Sequence, residues 1–224
     1  HTIVGLDKKS GDLTKPISFD YSSIDLVINA GAYTAVDQAE FNPDLAREIN
    51  SLGAGNLATF CRQHDLPLIH VSTDYVFDGK LDRAYLPSDI PNPLSVYGRT
   101  KAEGEALVLA NYPAATIVRT AWVFGLDKGF PKTILDLARN KKVLRVTSDE
   151  FGSPTWVDDL AQALPLFMGR SGIYHCAGYP AVSRFHFAQE IVRIARNFMP
   201  LSVECIEPIL LSEIDRPASR PMRT

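Results

Sequence analysis

Tyr97 and Lys101 stand four residues apart, with Ser72-Thr73-Asp74 upstream of them. On a helix that spacing puts phenol and ammonium on one face, one turn from each other. A free phenol has a pKa of ~10 and is a poor acid–base catalyst at neutral pH. A neighbouring ammonium stabilises the phenolate and draws that pKa toward the working range, where proton transfer is efficient. A hydroxyl from Thr73 would hold a substrate oxygen beside the phenol. Phenol, ammonium and hydroxyl are together the groups that reduction of a carbonyl requires. A Tyr-x-x-x-Lys pair alone is a weak signal, because most chance pairs are exposed helix positions, so the surroundings decide.

Those surroundings are specific. Pro67-Leu68-Ile69-His70-Val71-Ser72-Thr73 is a short apolar run ending in hydroxyls, the pattern of a buried parallel strand with polar groups at its carboxyl end. His70 within it reads as a hydrogen-bonded structural residue rather than a base. Beyond Tyr97, the residues Ala102, Ala106, Leu107, Leu109 and Ala110 continue a helical pattern to Asn111, and Pro113 stops it. Elsewhere strands and helices alternate as a doubly wound parallel α/β fold requires. Strands are expected at 1–7, 26–28, 116–118, 144–146 and 173–176, and helices over 42–64, 131–140, 158–168 and 183–196. Asn42-Pro43 reads as an N-cap followed by proline at the first helical position, with Leu45, Ile49, Leu52 and Leu57 facing inward. The block Phe151-Gly152-Ser153-Pro154-Thr155 reads as a turn from a first domain, 1–150, into a smaller α/β lobe, 151–224.

Four blocks carry a family resemblance: Asn29-Ala30-Gly31-Ala32-Tyr33-Thr34-Ala35-Val36-Asp37, Ser72-Thr73-Asp74-Tyr75-Val76-Phe77-Asp78-Gly79, Pro93-Leu94-Ser95-Val96-Tyr97-Gly98 and Arg119-Thr120-Ala121-Trp122-Val123-Phe124-Gly125. With the Phe151–Thr155 turn and Arg216-Pro217-Ala218, the sequence resembles the dTDP-4-dehydrorhamnose reductase family of the extended short-chain dehydrogenase/reductase group. The resemblance spans nearly the whole chain. There is one departure. The family opens with a strand and a Gly-x-x-Gly-x-x-Gly turn whose amides hold a pyrophosphate, whereas here residues 1–7 read as the second strand. The first βα unit is thus expected to be absent from the chain, and the end falls soon after Arg216-Pro217, where family members continue.

The resemblance implies a Rossmann-like fold, NADPH or NADH as cofactor, and a nucleotide-linked 4-keto-6-deoxy sugar as substrate. It places Asp7 on the adenosine ribose and Asp12 and Leu13 near the adenine. It lines the dinucleotide with Ala30, Gly31, Ala32, Tyr33, Thr34 and Val71, and sets Lys101 on the nicotinamide ribose. Tyr97 protonates the developing alkoxide and Thr73 donates to the carbonyl oxygen. Asp74 serves the sugar hydroxyls and Trp122 lies against the sugar face. Asp7 favours NADH by repelling a 2′-phosphate; Lys8 and Lys9 either hold that phosphate in NADPH or are solvated loop charges. Arg216 and Arg220 either meet a diphosphate bidentately or are exposed. Some relatives dimerise through a bound Mg2+, for which this sequence offers no identifiable ligand. Two further readings stay open: a related nucleotide-sugar epimerase or reductase, and a non-catalytic regulatory subunit of the methionine adenosyltransferase type.

Composition agrees with a soluble, cytoplasmic enzyme. The 224 residues are 46% hydrophobic, enough for one substantial core and a small lobe. A formal charge of -3 gives no electrostatic case for nucleic acid or an anionic membrane. No apolar stretch approaches the ~20 residues of a membrane span. Cys61, Cys176 and Cys205 are far apart and read as reduced core thiols.

Overall fold

A computed structural model of the chain describes residues 3–7, 11–17 and 19–224. The expectations for Lys8 and Lys9 lie outside the described residues. The first half runs β1 (Val27–Asn29), α1 (Val36–Phe41), α2 (Pro43–Arg47), a π-helical stretch (Glu48–Gly53), α3 (Ala54–Gln63), β2 (Leu68–Thr73), α4 (Val96–Asn111) and β3 (Thr116–Thr120). The second half runs β4 (Val123–Phe124), α5 (Phe130–Asn140), β5 (Val143–Thr147), β6 (Phe151–Gly152), β7 (Thr155–Trp156), α6 (Val157–Ala163), β8 (Gly172–His175), β9 (Val182–Ser183), α7 (Arg184–Ala195) and β10 (Cys205–Ile209).

The main sheet is parallel throughout, in the order β1-β2-β3-β8. Successive side chains of a strand leave on opposite faces, so a central strand with helices on both sides is apolar on both. Leu68 and Ile117 join Leu57, Ala58, Cys61 and Val108 in the core under α3 and α4. Ile69 and Val118 join Leu160 and Leu164 in a second core on α6 and the turn that follows it. This is the doubly wound α/β arrangement, with β2 carrying Thr73 to the carboxyl edge.

Three expectations are corrected. Residues 3–7 are exposed and take no part in a ladder among the described residues, because a short apolar run such as Ile3-Val4 makes a strand only where another strand pairs with it. The single helix over 42–64 is instead α2, a π-helical stretch and α3. A π turn holds more residues than an α turn, so the inward face slips. Leu45 and Leu52 end up 40% and 41% exposed, and Ala46, Asn50, Ser51 and Gly53 point inward. The division at residue 150 becomes an interleaved one. β8, from beyond that point, completes the main sheet, whereas β5, from before it, pairs in parallel with β10. Ile134, Ala138, Leu144 and Val146 share a core with Ala188, Val192 and Val203.

Small and polar residues on the π-helical stretch let α4 approach its backbone closely. A Cβ at Gly104 would fall 2.1 Å from the Asn50 carbonyl oxygen. Gly104→Ala should therefore destabilise the fold by about 1–3 kcal/mol through overpacking, although alanine is the better helix former. A melting temperature equal to or above that of the parent would show that the two helices can separate freely. Of the three thiols only Cys61 is a core residue, and burial pushes it up to about 12; Cys205 is exposed.

Candidate active site

Ser95 accepts the Gly98 amide at 3.1 Å and starts α4. Gly98 then sits where a Cβ would be 2.2 Å from the Tyr75 carbonyl oxygen, which brings the first turn of α4 against the chain leaving β2. Glu40 of α1 accepts the Val96 amide at 2.7 Å and fixes the same turn from the other side. As a result Tyr97 faces Tyr75 edge-on, ring centroids 5.9 Å apart, and packs with Tyr33 against Ala39, Ala46 and Val96. The Thr73 hydroxyl lies near enough to its phenol to favour the phenolate. Thr73 also donates to Asp74 Oδ1 at 3.0 Å and accepts the Tyr75 amide at 3.2 Å. The hydroxyl and phenol expected from the spacing do meet at the strand end.

The expected electrostatics differ. Burial, with Asp74 adding to it, pushes the Tyr97 phenol up to about 12, against the pull of the nearby Thr73 hydroxyl. Lys101 lies one turn on, but its amine turns away from the phenol. It is 2% exposed, donates to the Val71 carbonyl oxygen at 2.8 Å, and lies 3.2 Å from His70 Nε2. Burial draws Lys101 down to about 8, opposed by Glu105. Lys101 is not among the groups that lower the Tyr97 pKa in this arrangement; its contacts are the Val71 carbonyl and His70.

The loop after β1 is held by two asparagines that sequence reasoning left out. Asn29 Oδ1 accepts the Gly31 amide at 3.1 Å. Asn50 accepts the Tyr33 amide at 2.8 Å, donates to the Tyr33 carbonyl at 3.2 Å, and donates to Thr100 of α4 at 3.0 Å. One amide thus locks the loop of Ala30, Gly31, Ala32, Tyr33 and Thr34 to the helix of Tyr97 and Lys101. The only signal was a polar residue on an inward helix face, and the π-helical slip hid that face. Leu13 packs on the core under α3 and beside Gly31, where a Cβ would lie 3.2 Å from Leu13 Cδ1. Asp12 accepts from the Thr14 amide and hydroxyl. The Asp7 carbonyl accepts the Gly11 amide at 2.7 Å.

On the substrate side, Asp74 is buried and both its oxygens are engaged, one by Thr73 and the other by Thr224. Burial raises its pKa; the Thr224 and Thr73 hydrogen bonds and the Arg184 charge act against that. Trp122, at φ 42, does not offer the open indole face foreseen for a sugar. The Arg184 guanidinium lies 3.4 Å over its ring centre, and a Cβ at Gly152 would fall 2.3 Å from Trp122 Cε2. A flat cation stacks well on an indole, and Glu150 holds it there at 3.3 Å. Arg216 lies 3.6 Å from the same carboxylate, and Arg220 pairs with Asp37 at 2.9 Å. Among the described residues no group of three His, Cys, Asp or Glu side chains could hold a metal, and no helix is long and apolar enough to cross a membrane.

Comparison with known proteins gives the chain its relatives. A family profile described as "RmlD substrate binding domain" matches residues 1–224. The dTDP-4-dehydrorhamnose reductase of Aggregatibacter actinomycetemcomitans is 38% identical over 99% of this chain and 80% of its own length. A crystal structure of a dTDP-4-dehydrorhamnose reductase from Clostridium acetobutylicum superposes with a TM-score of 0.92 at 36% identity, covering 98% of this chain and 79% of that one. The enzyme of the same name from Bacillus anthracis, solved in complex with NADP, gives 0.87 at 32% identity, covering 97% and 78%. Likeness of that depth over the full length of the chain, with the strand-end hydroxyl, phenol and buried lysine in place, makes it a member of the dTDP-4-dehydrorhamnose reductase family.

Proposed function

We propose that the protein is a cytoplasmic enzyme that reduces the C4 keto group of dTDP-4-dehydro-L-rhamnose to dTDP-L-rhamnose at the expense of NADPH or NADH. The observation that carries this reading is the Thr73 hydroxyl beside the Tyr97 phenol at the carboxyl end of β2, one helical turn from a buried Lys101. Ligands of open α/β sheets bind at that edge. The donor set fits a nicotinamide dinucleotide: the small Ala30, Gly31 and Ala32 let it approach the backbone, Tyr33 and Thr34 border it, and Tyr97 and Lys101 offer hydroxyl and amine to a ribose. Asp7, Asp12, Leu13 and Val71 complete the proposed cofactor surface. When bound, the reduced nicotinamide supplies the hydride.

The chain's own residues do the rest. Burial keeps the Tyr97 phenol protonated throughout neutral pH, which is the form a proton donor needs, and it delivers that proton to the developing alkoxide. Thr73 turns its hydroxyl from Asp74 to the carbonyl oxygen, a contact that strengthens as negative charge grows there. Asp74, freed of that hydrogen bond, accepts from a sugar hydroxyl. Trp122 serves the substrate by holding Arg184 at the site rather than by stacking on the sugar itself.

The test is loss of reduced-nicotinamide absorbance on adding dTDP-4-dehydro-L-rhamnose, run separately with NADPH and NADH. Rapid oxidation is expected. A folded, dinucleotide-binding protein that leaves this sugar untouched would rule the reading out and favour an epimerase or a regulatory subunit.

A further inference from the structure

Arg184 is held along its length by the protein, except at the outer edge of its guanidinium. It opens α7 behind Ser183, whose hydroxyl accepts the His186 amide at 3.1 Å. Its own amide donates to the Glu150 carbonyl at 3.0 Å, and its Nε donates to Glu150 Oε1 at 3.3 Å. Glu150 is buried and accepts the Thr147 hydroxyl at 3.1 Å. The flat cation lies 3.4 Å over the Trp122 ring centre and 4.8 Å from that of Phe130. Rings and carboxylate together set the plane of the guanidinium and the direction of its fork. Nη1 and Nη2 meet no hydrogen-bond acceptor among the described residues. The side chain is 16% exposed, and neither nitrogen is shut off from solvent.

That edge belongs to the substrate side. Ser183 pairs with Phe151 in the ladder of β6 and β9, and the Phe151 carbonyl accepts the Thr224 amide at 3.3 Å. The Thr224 hydroxyl in turn donates to Asp74. These contacts tie Arg184 to the carboxylate proposed for sugar hydroxyls, and the two charges act on each other. The charges here do not call for an anion. Arg184 and Arg216 stand against Glu150 and Asp74, and Arg220 against Asp37. What the fork lacks is acceptors. We propose that Arg184 is a specificity-determining residue, whose Nη1 and Nη2 donate to ring hydroxyls of the bound sugar beside Asp74. A hydroxyl has two lone pairs and one proton, so it can accept from Arg184 while it donates to Asp74. Donating to a carboxylate also makes its oxygen the better acceptor.

The inference deepens the proposed reaction and rests on the reading that the substrate is a nucleotide-linked 4-keto-6-deoxy sugar. Thr73 and Asp74 are consecutive, as are C4 and C3 of the ring. A sugar whose C4 oxygen meets Thr73 therefore holds its hydroxyls within reach of Asp74. Trp122 is then the platform for the cation that reads them. A sugar lacking the contacted hydroxyl leaves donors of a fixed guanidinium unpaired, which is the kind of loss that discriminates between substrates.

Titration calorimetry on the full chain tests this without turnover, using dTDP, dTDP-L-rhamnose and the 2-deoxy and 3-deoxy analogues of that sugar nucleotide. Arg184→Met should weaken dTDP-L-rhamnose about 10–100-fold, as loss of a hydrogen bond to a charged group does, and leave dTDP within about twofold. One of the two analogues should bind the parent more weakly than dTDP-L-rhamnose does. That penalty should shrink about tenfold or more in Arg184→Met, as a double cycle requires of groups in contact. Should Arg184→Met fail to fold, Arg184→Lys keeps the charge beside Glu150 without the fork, and the same pattern is expected of it. Unchanged dTDP-L-rhamnose affinity in a folded variant would overturn the proposal, as would additive losses with both analogues. An equal loss for dTDP would put Arg184 on the phosphates and overturn it too. A parent that binds neither dTDP nor dTDP-L-rhamnose removes the nucleotide-sugar reading itself, and the proposal falls with it. A parent that binds both, with the variant failing the comparison, loses only this inference.

Discussion

Tyr97→Phe is expected to lower kcat by about 10²–10⁴-fold, the range over which a positioned proton donor acts, while dinucleotide affinity stays close to that of the parent. The substitution deletes one oxygen. The ring keeps its edge contact with Tyr75 and its packing on Ala39, Ala46 and Val96, so the fold and the loop of Tyr33 are not disturbed. Thr73 keeps its two partners, the Asp74 carboxylate and the Tyr75 amide. What is lost is the proton for the alkoxide, an interaction made only as the reaction proceeds, so kcat and kcat/KM should fall together. Steady-state absorbance kinetics beside a fluorescence titration of reduced cofactor separate the two effects, and near-normal turnover would remove Tyr97 from its role. The pH dependence in the parent has a fixed sign. The donor is active while protonated, and burial places its loss of proton near 12, so Tyr97 should impose no decline in kcat across neutral pH. Any fall it causes comes on the alkaline side.

The site was legible in the sequence where chemistry depends on local spacing. Tyr97 and Lys101 share a helix, and Thr73 ends the strand before it, so the placement of each could be read within one element. The parallel sheet was equally legible from apolar runs such as 68–71 and 116–118, buried on both faces as such runs require. What was hidden depends on approach between elements. Asn50 acts across three segments, and its inward direction comes from a π-helical turn that no periodicity announces. The His70–Lys101 contact joins a strand to a helix 31 residues away, and no local spacing signals it. Trp122 failed for the same reason. Its partner Arg184 comes from the start of α7, and nothing near position 122 signals a cation on the ring.

The largest effect on stability is expected from Glu105→Leu. Arg119 on β3 and Glu105 on α4 make a two-pronged ion pair, Nε to Oε1 at 2.9 Å and Nη2 to Oε2 at 2.6 Å, with side chains only 3% and 5% exposed. The guanidinium also lies 4.9 Å over the Phe77 ring and donates to the Pro87 carbonyl at 3.4 Å. A buried pair of this kind contributes little net stability compared with apolar residues, because desolvation offsets the attraction. Removing one partner is another matter, since the remaining charge is left in the core at a cost of about 3–5 kcal/mol. Glu105→Leu should show that loss in denaturant unfolding with an unchanged slope, and the pair Glu105→Leu with Arg119→Met should regain most of it. If the single variant unfolds within about 1 kcal/mol of the parent, the guanidinium has found water or another anion and the pair is not as closed as its geometry implies. The same carboxylate is the one charge that favours an ammonium at Lys101. Even the stabilised double variant should therefore carry a Lys101 that holds its proton less readily than the parent's, which separates the part Glu105 plays in the fold from the part it plays at the site.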